Sequence, residues 1–485
     1  MNRFALLILL LFIGSKSYSQ KDEIERYVND FIVSEELTNA SISIAIRDDE
    51  GKIIGEKNNL TSLPAASTAK LFATASALEI LGPNYKAKTR IYIEGNITTE
   101  GILNGNIWIR GGGDPTLGSK FFNEPNSKMD FLQRWIEAIE SAGIKRITGG
   151  IISDASEFGY LSAPDAWTWN DMGNYYGAGP SGLTVFDNTL EYHFKTSKYN
   201  GGLSEILEIT PNVKGINIFN EVKSENISYD NAYIYGAPYS LNRIATGSLP
   251  IGRSNFIVKG SLPDPELAIG ELFFDALLDK GITCREEVMT KRNMSNQIPN
   301  YSLMELIHTE YGQSLEEIIR ITNHNSVNLF AEHLVCLIAY EKGMIGSVIN
   351  GIRYITKYWN SRIDTRGLYL TDGSGLSRSN GISSTHLTSL LQYMQNQSKY
   401  SKEFYNSLPI SGKSGTLRSL CLNQPGHGRI HAKSGTMNRI KSYAGYIESS
   451  TGKRFSFAII VNNFEGSSSG IKKKMESLLN KLSAL

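Results

Sequence analysis

Ser67 and Lys70 stand three residues apart at the head of an apolar run, and residues at that spacing share one face of a helix. A serine hydroxyl is a weak nucleophile near neutral pH and needs a base within hydrogen-bond reach. Lys70 can be that base if burial or a neighbouring cation lowers its pKa. Further along the chain come Ser326-Val327-Asn328 and Lys433-Ser434-Gly435-Thr436. Ser326 is suited to pass a proton between Lys70 and a leaving amine, and the Asn328 amide to orient a peptide group. Lys433 is the candidate cation beside Lys70, and with the hydroxyls of Ser434 and Thr436 it suits a terminal carboxylate. The backbone N–H of Ser67, which precedes any intrahelical acceptor, and the N–H of Thr436 on a strand edge are candidate donors to an oxyanion. Together these residues describe acyl transfer through a covalent Ser67 intermediate, beside a C-terminal carboxylate.

The elements that must hold these groups are legible in the pattern. Leu71, Thr74, Ala75, Leu78 and Leu81 recur at helical spacing before Gly82-Pro83, which puts Ser67 in the first turn of a buried helix. Alternation from Ser41 to Ile46, a turn at Asp48 to Gly51 and a second strand at Ile53 and Ile54 read as a hairpin. Helical stretches are expected at 314–321 and 329–339, strands at 443–448 and 455–462, and an amphipathic helix at 471–482. That order gives an α/β (α+β) domain, an antiparallel sheet flanked by helices. The 255 residues between Lys70 and Ser326 are domain-sized, with short strand-like runs such as Ile91-Tyr92-Ile93 and Ile107-Trp108-Ile109 between turns. The expected division is a leader at 1–19, a catalytic domain in two parts at 20–87 and 301–485, and a large, mainly β insertion at 88–300.

With 49 basic and 48 acidic residues the chain has a formal charge of +1, which removes the argument for docking on nucleic acid or an anionic membrane. Arg3, the apolar run Phe4 to Ile13 and the small residues Ser17 and Ser19 read as a cleaved secretory signal, since about ten apolar residues are too few to span a bilayer. The mature chain is expected to carry no transmembrane segment. Cys284, Cys336 and Cys421 form no metal-spacing pattern; one disulfide is possible and none is required. The scattered histidines offer no metal site, and Gly111 to Gly113 lack the following Gly-Lys-Ser/Thr of a phosphate loop, so no metal or other cofactor is expected.

Single matches are common in a chain this long. Ser469 to Lys472 repeats Ser-x-x-Lys, Ser224 to Asn226 repeats Ser-x-Asn, and Lys413-Ser414-Gly415-Thr416 duplicates the lysine motif. Order and context select the first set: Ser67 and Ser326 each precede an apolar helix, and Lys433 leads into a strand pair, whereas Lys413 follows Pro409 and Gly412 in loop-like sequence. On a regular strand His431 would share a face with Lys433.

With those residues in place, the chain resembles the low-molecular-mass class C penicillin-binding proteins, the D-alanyl-D-alanine carboxypeptidase/endopeptidase family of bacterial cell walls. The resemblance spans nearly the whole mature chain and includes Arg110-Gly111-Gly112-Gly113-Asp114-Pro115-Thr116-Leu117, Trp167 to Met172, Asp372-Gly373-Ser374-Gly375-Leu376-Ser377-Arg378 and Gly415 to Arg418. It implies a transpeptidase/β-lactamase-like domain with inserted domains, Ser67 as the acylated nucleophile and Lys70 as base. It also implies that Asp171 holds the free amine of a diaminopimelate side chain; from the bare residues Asp171 could equally be a structural turn residue. Peptidoglycan stem peptides and cross-links would be the substrates, β-lactams the covalent inhibitors, and the periplasm the location. Lys433-Ser434-Gly435 departs from the family's usual Lys-Thr-Gly and keeps the hydroxyl.

Three other readings use the same residues. A β-lactamase would need a further base, such as the Glu of a Glu-x-x-Leu-Asn segment between the second and third motifs; Glu100 to Asn104 and Glu476 to Asn480 both fall outside that interval. An esterase would act on small esters without saturable acylation by penicillin. A non-catalytic wall-binding protein is disfavoured because every nucleophile, base and carboxylate-binding position is filled.

Overall fold

The computed structural model describes residues 20–294 and 298–485, so the expected leader at 1–19 lies outside the described residues. The chain divides into two compact units. One comprises residues up to Gly82, Ile319–Ser326 and Ile355–Leu485; the other comprises Pro83–Ile318 and Val327–Tyr354.

The first unit is built on a five-stranded sheet in the order Ile430–Met437, Ile440–Glu448, Arg454–Asn462, Ser41–Arg47, Ile53–Lys57, with every neighbouring pair antiparallel. Ile440–Glu448 and Arg454–Asn462 are buried almost throughout because both faces of the sheet are covered. The two faces are chemically different. Ile42, Ile44, Ile46, Phe457, Ile459 and Val461 form an apolar face with Ile24 and Val28 of the helix at 20–32, and with Ile471, Met475 and Leu478 of the helix Ser468–Ala484. The alternate residues carry hydroxyls. Ser43 Oγ donates to Ser384 Oγ (2.9 Å), Tyr446 donates to Leu391 O (2.7 Å), and Ser442 Oγ donates to Ala65 O (2.6 Å). The period of two along each strand thus turns one face into a greasy seat and the other into a hydrogen-bonded platform for the helix Ser384–Asn396 and the Ser67 turn.

The helix that follows Ser67, Lys70–Leu81, is buried at every position from Lys70 to Leu78. Its polar groups are satisfied locally: Ser76 Oγ donates to Phe72 O (2.6 Å) and accepts from the indole of Trp359 (2.8 Å), which meets Phe72 edge-on.

In the second unit, Lys88–Ile97 and Ile102–Gly111 form a hairpin, and Ile151–Asp154 adds parallel to it. The helices Asp130–Ser141 and Pro265–Asp279 pack on this core, where the rings of Trp135 and Phe273 lie 5.4 Å apart. Thr189–Lys195 and Asn231–Tyr235 belong to two smaller sheets, so the insertion is mainly β. Glu305–Tyr311 pairs antiparallel with Lys88–Ile97, which carries this unit past residue 300, and the helix Asn328–Glu341 also clusters with it.

The Arg110-to-Leu117 segment has a packing role in this unit. Gly113 adopts φ +78°, and a Cβ there would lie 2.0 Å from the Phe158 ring. Its carbonyl accepts from Nδ1 of the fully buried His333 (3.0 Å), which leaves Nε2 to accept from the Thr184 hydroxyl (3.0 Å). Burial lowers the His333 pKa from 6.5 to about 4. The unfolded chain therefore binds a proton that the folded chain refuses between those values, so this contribution is intact above pH 6.5 and is lost as pH falls towards 4, by about 3 kcal/mol. Urea unfolding of the full chain at pH 7 and pH 4.5 should show wild type losing more stability on acidification than His333→Gln; parallel losses would overturn this assignment.

Candidate active site

The first unit gathers Ser67, Lys70, Ser326, Lys433, Ser434 and Thr436. Ser67 lies in a 3-10 turn, Ala66–Ala69, that feeds the helix starting at Lys70, and not in the α-helical first turn that its spacing suggests. Ala66 enters this turn at φ +48°, a left-handed conformation that costs a non-glycine residue of order 1 kcal/mol and brings the serine out at a sharp angle. The turn is held against the sheet by Thr68 Oγ1, which donates to Ala65 O (2.7 Å) and lies 3.2 Å from Ser442 Oγ. Ser67 caps neither the turn nor the helix; its Oγ accepts from Lys70 Nζ at 2.9 Å.

Lys70 is completely buried, and its amine also donates to Ser374 O at 2.7 Å. That carbonyl is presented by a turn organised around Asp372. Asp372 Oδ1 accepts from Gly375 N (2.8 Å) and Asn380 Nδ2 (2.8 Å), and Oδ2 from Ser377 N (2.6 Å). Gly375, at φ +77°, lies so close to the Ser67 turn that a Cβ would stand 2.0 Å from Ala66 O. The Gly-rich stretch at 372–378 thus holds the acceptor that aims Lys70.

Ser326 occupies the break between the helices Leu315–Asn325 and Asn328–Glu341, at φ +59°. Its side chain does not cap the second helix; Ser326 Oγ accepts from Lys433 Nζ at 2.9 Å. Lys433, also completely buried, donates a second bond to Ser434 O (2.9 Å). Burial, reinforced by the neighbouring Lys70, pushes the Lys433 amine well below the usual lysine range. The folded chain therefore holds fewer protons on this amine than the unfolded chain does. Its contribution makes stability rise with pH up to the ordinary value of 10.5 and fall as pH drops below it. Calorimetric melting from pH 7 to pH 10 should show a steeper rise for wild type than for Lys433→Met; identical slopes would show that Lys433 is protonated alike in both states.

Ile430–Met437 is the edge strand. On its open side Ile430 N donates to Ser411 Oγ (3.1 Å) and Ala432 N to Pro409 O (3.1 Å). The strand's alternation aims the N–H of Ser434 and Thr436 to that same side. Gly435 passes against the Ser67 turn: a Cβ there would be 3.0 Å from Ser67 N and 2.7 Å from Ala65 O. The two expected oxyanion donors thus belong to segments in contact. Ser434 Oγ donates to Thr416 Oγ1 (2.8 Å), while Thr436 Oγ1 accepts from Lys441 Nζ (2.7 Å).

Thr416 was not among the residues selected from sequence, although the duplicated Lys413-Ser414-Gly415-Thr416 was its signal. The threonine of that copy meets Ser434, while Lys413 is exposed and Lys433 reaches Ser326. His431 is on the face of Lys433 but stacks on Tyr405 with ring centroids 4.3 Å apart, so its place is in packing. Cys284, Cys336 and Cys421 are free thiols, and burial pushes Cys284 up to about 11 and Cys421 to about 12. Glu476 accepts from Cys421 N (3.0 Å) and pairs with Lys472, and Glu100 lies at the tip of the hairpin in the other unit.

Asn328 and Asp171 belong to the second unit. Asn328 Nδ2 donates to Tyr176 O (2.8 Å). Asp171, in the short helix Trp169–Met172, accepts from Thr168 Oγ1 (2.5 Å), and its carbonyl packs where a Cβ on Gly177 would come within 2.0 Å. Residues 176 and 177 therefore tie these two side chains' elements together.

Residues 24–482 match the family described as D-Ala-D-Ala carboxypeptidase 3 (S13). The chain is 26% identical over 437 residues to the D-alanyl-D-alanine carboxypeptidase of Actinomadura sp. (strain R39), covering 86% of this chain and 76% of that protein. It shares its fold with penicillin binding protein 4 from Haemophilus influenzae, with a TM-score of 0.79 at 21% identity over 94% of this chain and 99% of the other. A structure of that protein complexed with a β-lactam matches with a TM-score of 0.74 at 20% identity, covering 94% of this chain and 98% of the other.

Proposed function

The chain belongs to the D-Ala-D-Ala carboxypeptidase 3 (S13) family, among the low-molecular-mass class C penicillin-binding proteins, and we propose that it cleaves peptidoglycan peptides through an acyl-enzyme on Ser67. The observation that carries this reading is the pair of buried lysine–serine contacts, Lys70 to Ser67 and Lys433 to Ser326, each at 2.9 Å.

In the reaction, neutral Lys70 takes the Ser67 proton as Oγ attacks the carbonyl of the penultimate D-alanine. The N–H groups of Ser67 and Thr436 stabilise the oxyanion. As the tetrahedral intermediate collapses, the C–N bond breaks and the amine of the terminal D-alanine leaves with a proton relayed through Ser326. Lys433, held at a low pKa by its burial and by Lys70, donates to Ser326 and keeps that hydroxyl oriented. Asn328, two residues from Ser326, orients the substrate's peptide group. Ser434 and Thr416 receive the terminal carboxylate through their hydroxyls, with the Lys433 amine behind them. Water then attacks the acyl-enzyme by the reverse proton path and frees the shortened peptide.

A β-lactam acylates the same hydroxyl, and its ring-opened amine stays tethered. Asp171 is assigned to the free amine of a diaminopimelate side chain, which extends the activity from terminal D-alanine to D-Ala-diaminopimelate cross-links. The sequence at 1–19 directs the chain to the periplasm, and among the described residues no helix is long and apolar enough to cross a membrane.

Peptide mass spectrometry after incubation with benzylpenicillin tests the proposal: one penicilloyl group on the peptide containing Ser67, and release of D-alanine from a pentapeptide ending in D-Ala-D-Ala. Penicillin consumed with no adduct would point instead to a β-lactamase, and hydrolysis of short esters with neither result to an esterase.

A further inference from the structure

The inserted unit contains a cavity of about 480 Å³ whose walls are basic and aromatic. Lys86, Lys88 and Arg90 line it from one edge. Lys88 and Arg90 sit at alternate positions of the strand Lys88–Ile97 and so share a face at a step of about 7 Å, Lys86 lies just before the strand, and the intervening Ala87 and Thr89 are buried. Strand pairing sets Arg90 directly opposite Arg110, an unfavourable like-charge pair. Arg110 is compensated by its ion pair with Glu157. Lys86, Lys88 and Arg90 have no carboxylate within ion-pair distance among the described residues. The one carboxylate on the cavity wall, Glu341, is engaged by the hydroxyl of Tyr85 (2.9 Å).

The floor is rigid. Backbone N–H groups of Gly112, Gly312 and Leu315 bond to the carbonyls of Lys88, Ala87 and Tyr85 at 2.9 Å each. Tyr311 and Tyr340 complete the wall, with Lys88 Nζ 5.5 Å from the Tyr311 ring centre. In a chain of net charge +1, three uncompensated cations in one short segment, beside flat rings and a preformed cavity, are the signature of a site for an anion with an extended body.

We propose that this cavity binds the carboxylates of a wall peptide other than the one being cut, with the tyrosine rings against its sugar or acyl portion. The choice of a carboxylate-bearing glycopeptide rests on the proposed peptidoglycan activity; the preference for a multivalent anion rests on the cavity alone. Such a site would hold the enzyme on the wall while Ser67 acts on a neighbouring strand.

The test uses the full Ser67→Ala chain and a muramyl tripeptide ending in diaminopimelate, which lacks any D-alanine to cleave. Titration calorimetry at low salt should show binding that weakens with added salt, and that is at least about tenfold weaker in Ser67→Ala carrying Lys88→Gln and Arg90→Gln. Thermal melting checks that the triple variant is folded; if it is not, Lys86→Gln alone, at an exposed position, should still weaken binding severalfold. No saturable binding, or equal binding by every variant, would overturn the proposal. Inorganic phosphate that binds there more tightly than the tripeptide would overturn the assignment to carboxylates. Because the probe is not cleaved and the nucleophile is absent, failure here leaves the acylation test on Ser67 untouched, and failure of that test leaves this one readable.

Discussion

Replacing Ser67 with alanine should abolish penicilloylation and lower the rate of D-alanine release by about 10⁴- to 10⁶-fold, the range found when the nucleophile of a serine hydrolase is removed. The loss is chemical. Ser67 Oγ accepts a bond from Lys70, whose amine keeps its bond to Ser374 O when the hydroxyl is gone. Side-chain truncation at this half-buried position leaves the sheet contacts of Ala65 and Thr68 in place, so unfolding free energy should move by no more than about 1 kcal/mol. Stopped-flow or mass-spectrometric acylation together with thermal melting checks both halves. A penicilloyl group found on another residue of the Ser67→Ala chain, at a rate near that of wild type, would remove Ser67 from the nucleophile position.

Gly375→Ala should be nearly as damaging, by another route. A Cβ would lie 2.0 Å from Ala66 O at a backbone φ of +77°, so the turn or the Ser67 segment has to move. Either movement pulls Ser374 O off Lys70 Nζ or shifts Ser67 relative to its base, and displacements of about 1 Å at such a site cost of order 100-fold in rate. Stability should also fall by several kcal/mol, since overpacking and a left-handed non-glycine residue add. Gly343→Ala is the matched control. It has φ +74° with nothing within 4 Å of the new methyl, so it should lose only about 1 kcal/mol and keep its acylation rate. Comparing acylation rates and urea midpoints of the two variants separates steric displacement from backbone strain; equal effects would refute the argument from close contact.

The candidate site could be assembled from residue types because part of its geometry depends on local spacing. Ser67 and Lys70 meet through one helical turn, and Ser326 precedes an apolar helix whose own residues announce it. Local pattern also located the hairpin at Ser41–Arg47 and the two long C-terminal strands, since period-two and continuous apolar runs follow from how a sheet is covered. It was less informative about Thr416. Its motif resembles the Lys433 copy, and only the approach of the turn at Gly415–Leu417 to the strand Ile430–Met437 shows which copy supplies the buried lysine and which the hydroxyl. His431 shows the same limit: its position on the strand face was legible, but not that Tyr405 would claim its ring.

Burial separates what was written locally from what was not. The candidates for attack, proton transfer and carboxylate binding were present in the order of three motifs and their flanking helices, and the family in those motifs together with the segments at 110–117, 167–172, 372–378 and 415–418. Tertiary structure decided their electrostatic state and their aim. Lys433 has a depressed pKa because the sheet and the Ser326 break enclose it next to a second lysine. Lys70 points at Ser67 because a carbonyl more than 300 residues away, locked by Asp372, takes its other proton. Strand pairing of Glu305–Tyr311 with Lys88–Ile97 likewise joins segments that no local signal connects. Spacing along a chain specifies neighbours within a turn or a strand; desolvation and long-range pairing depend on what the rest of the chain packs against them.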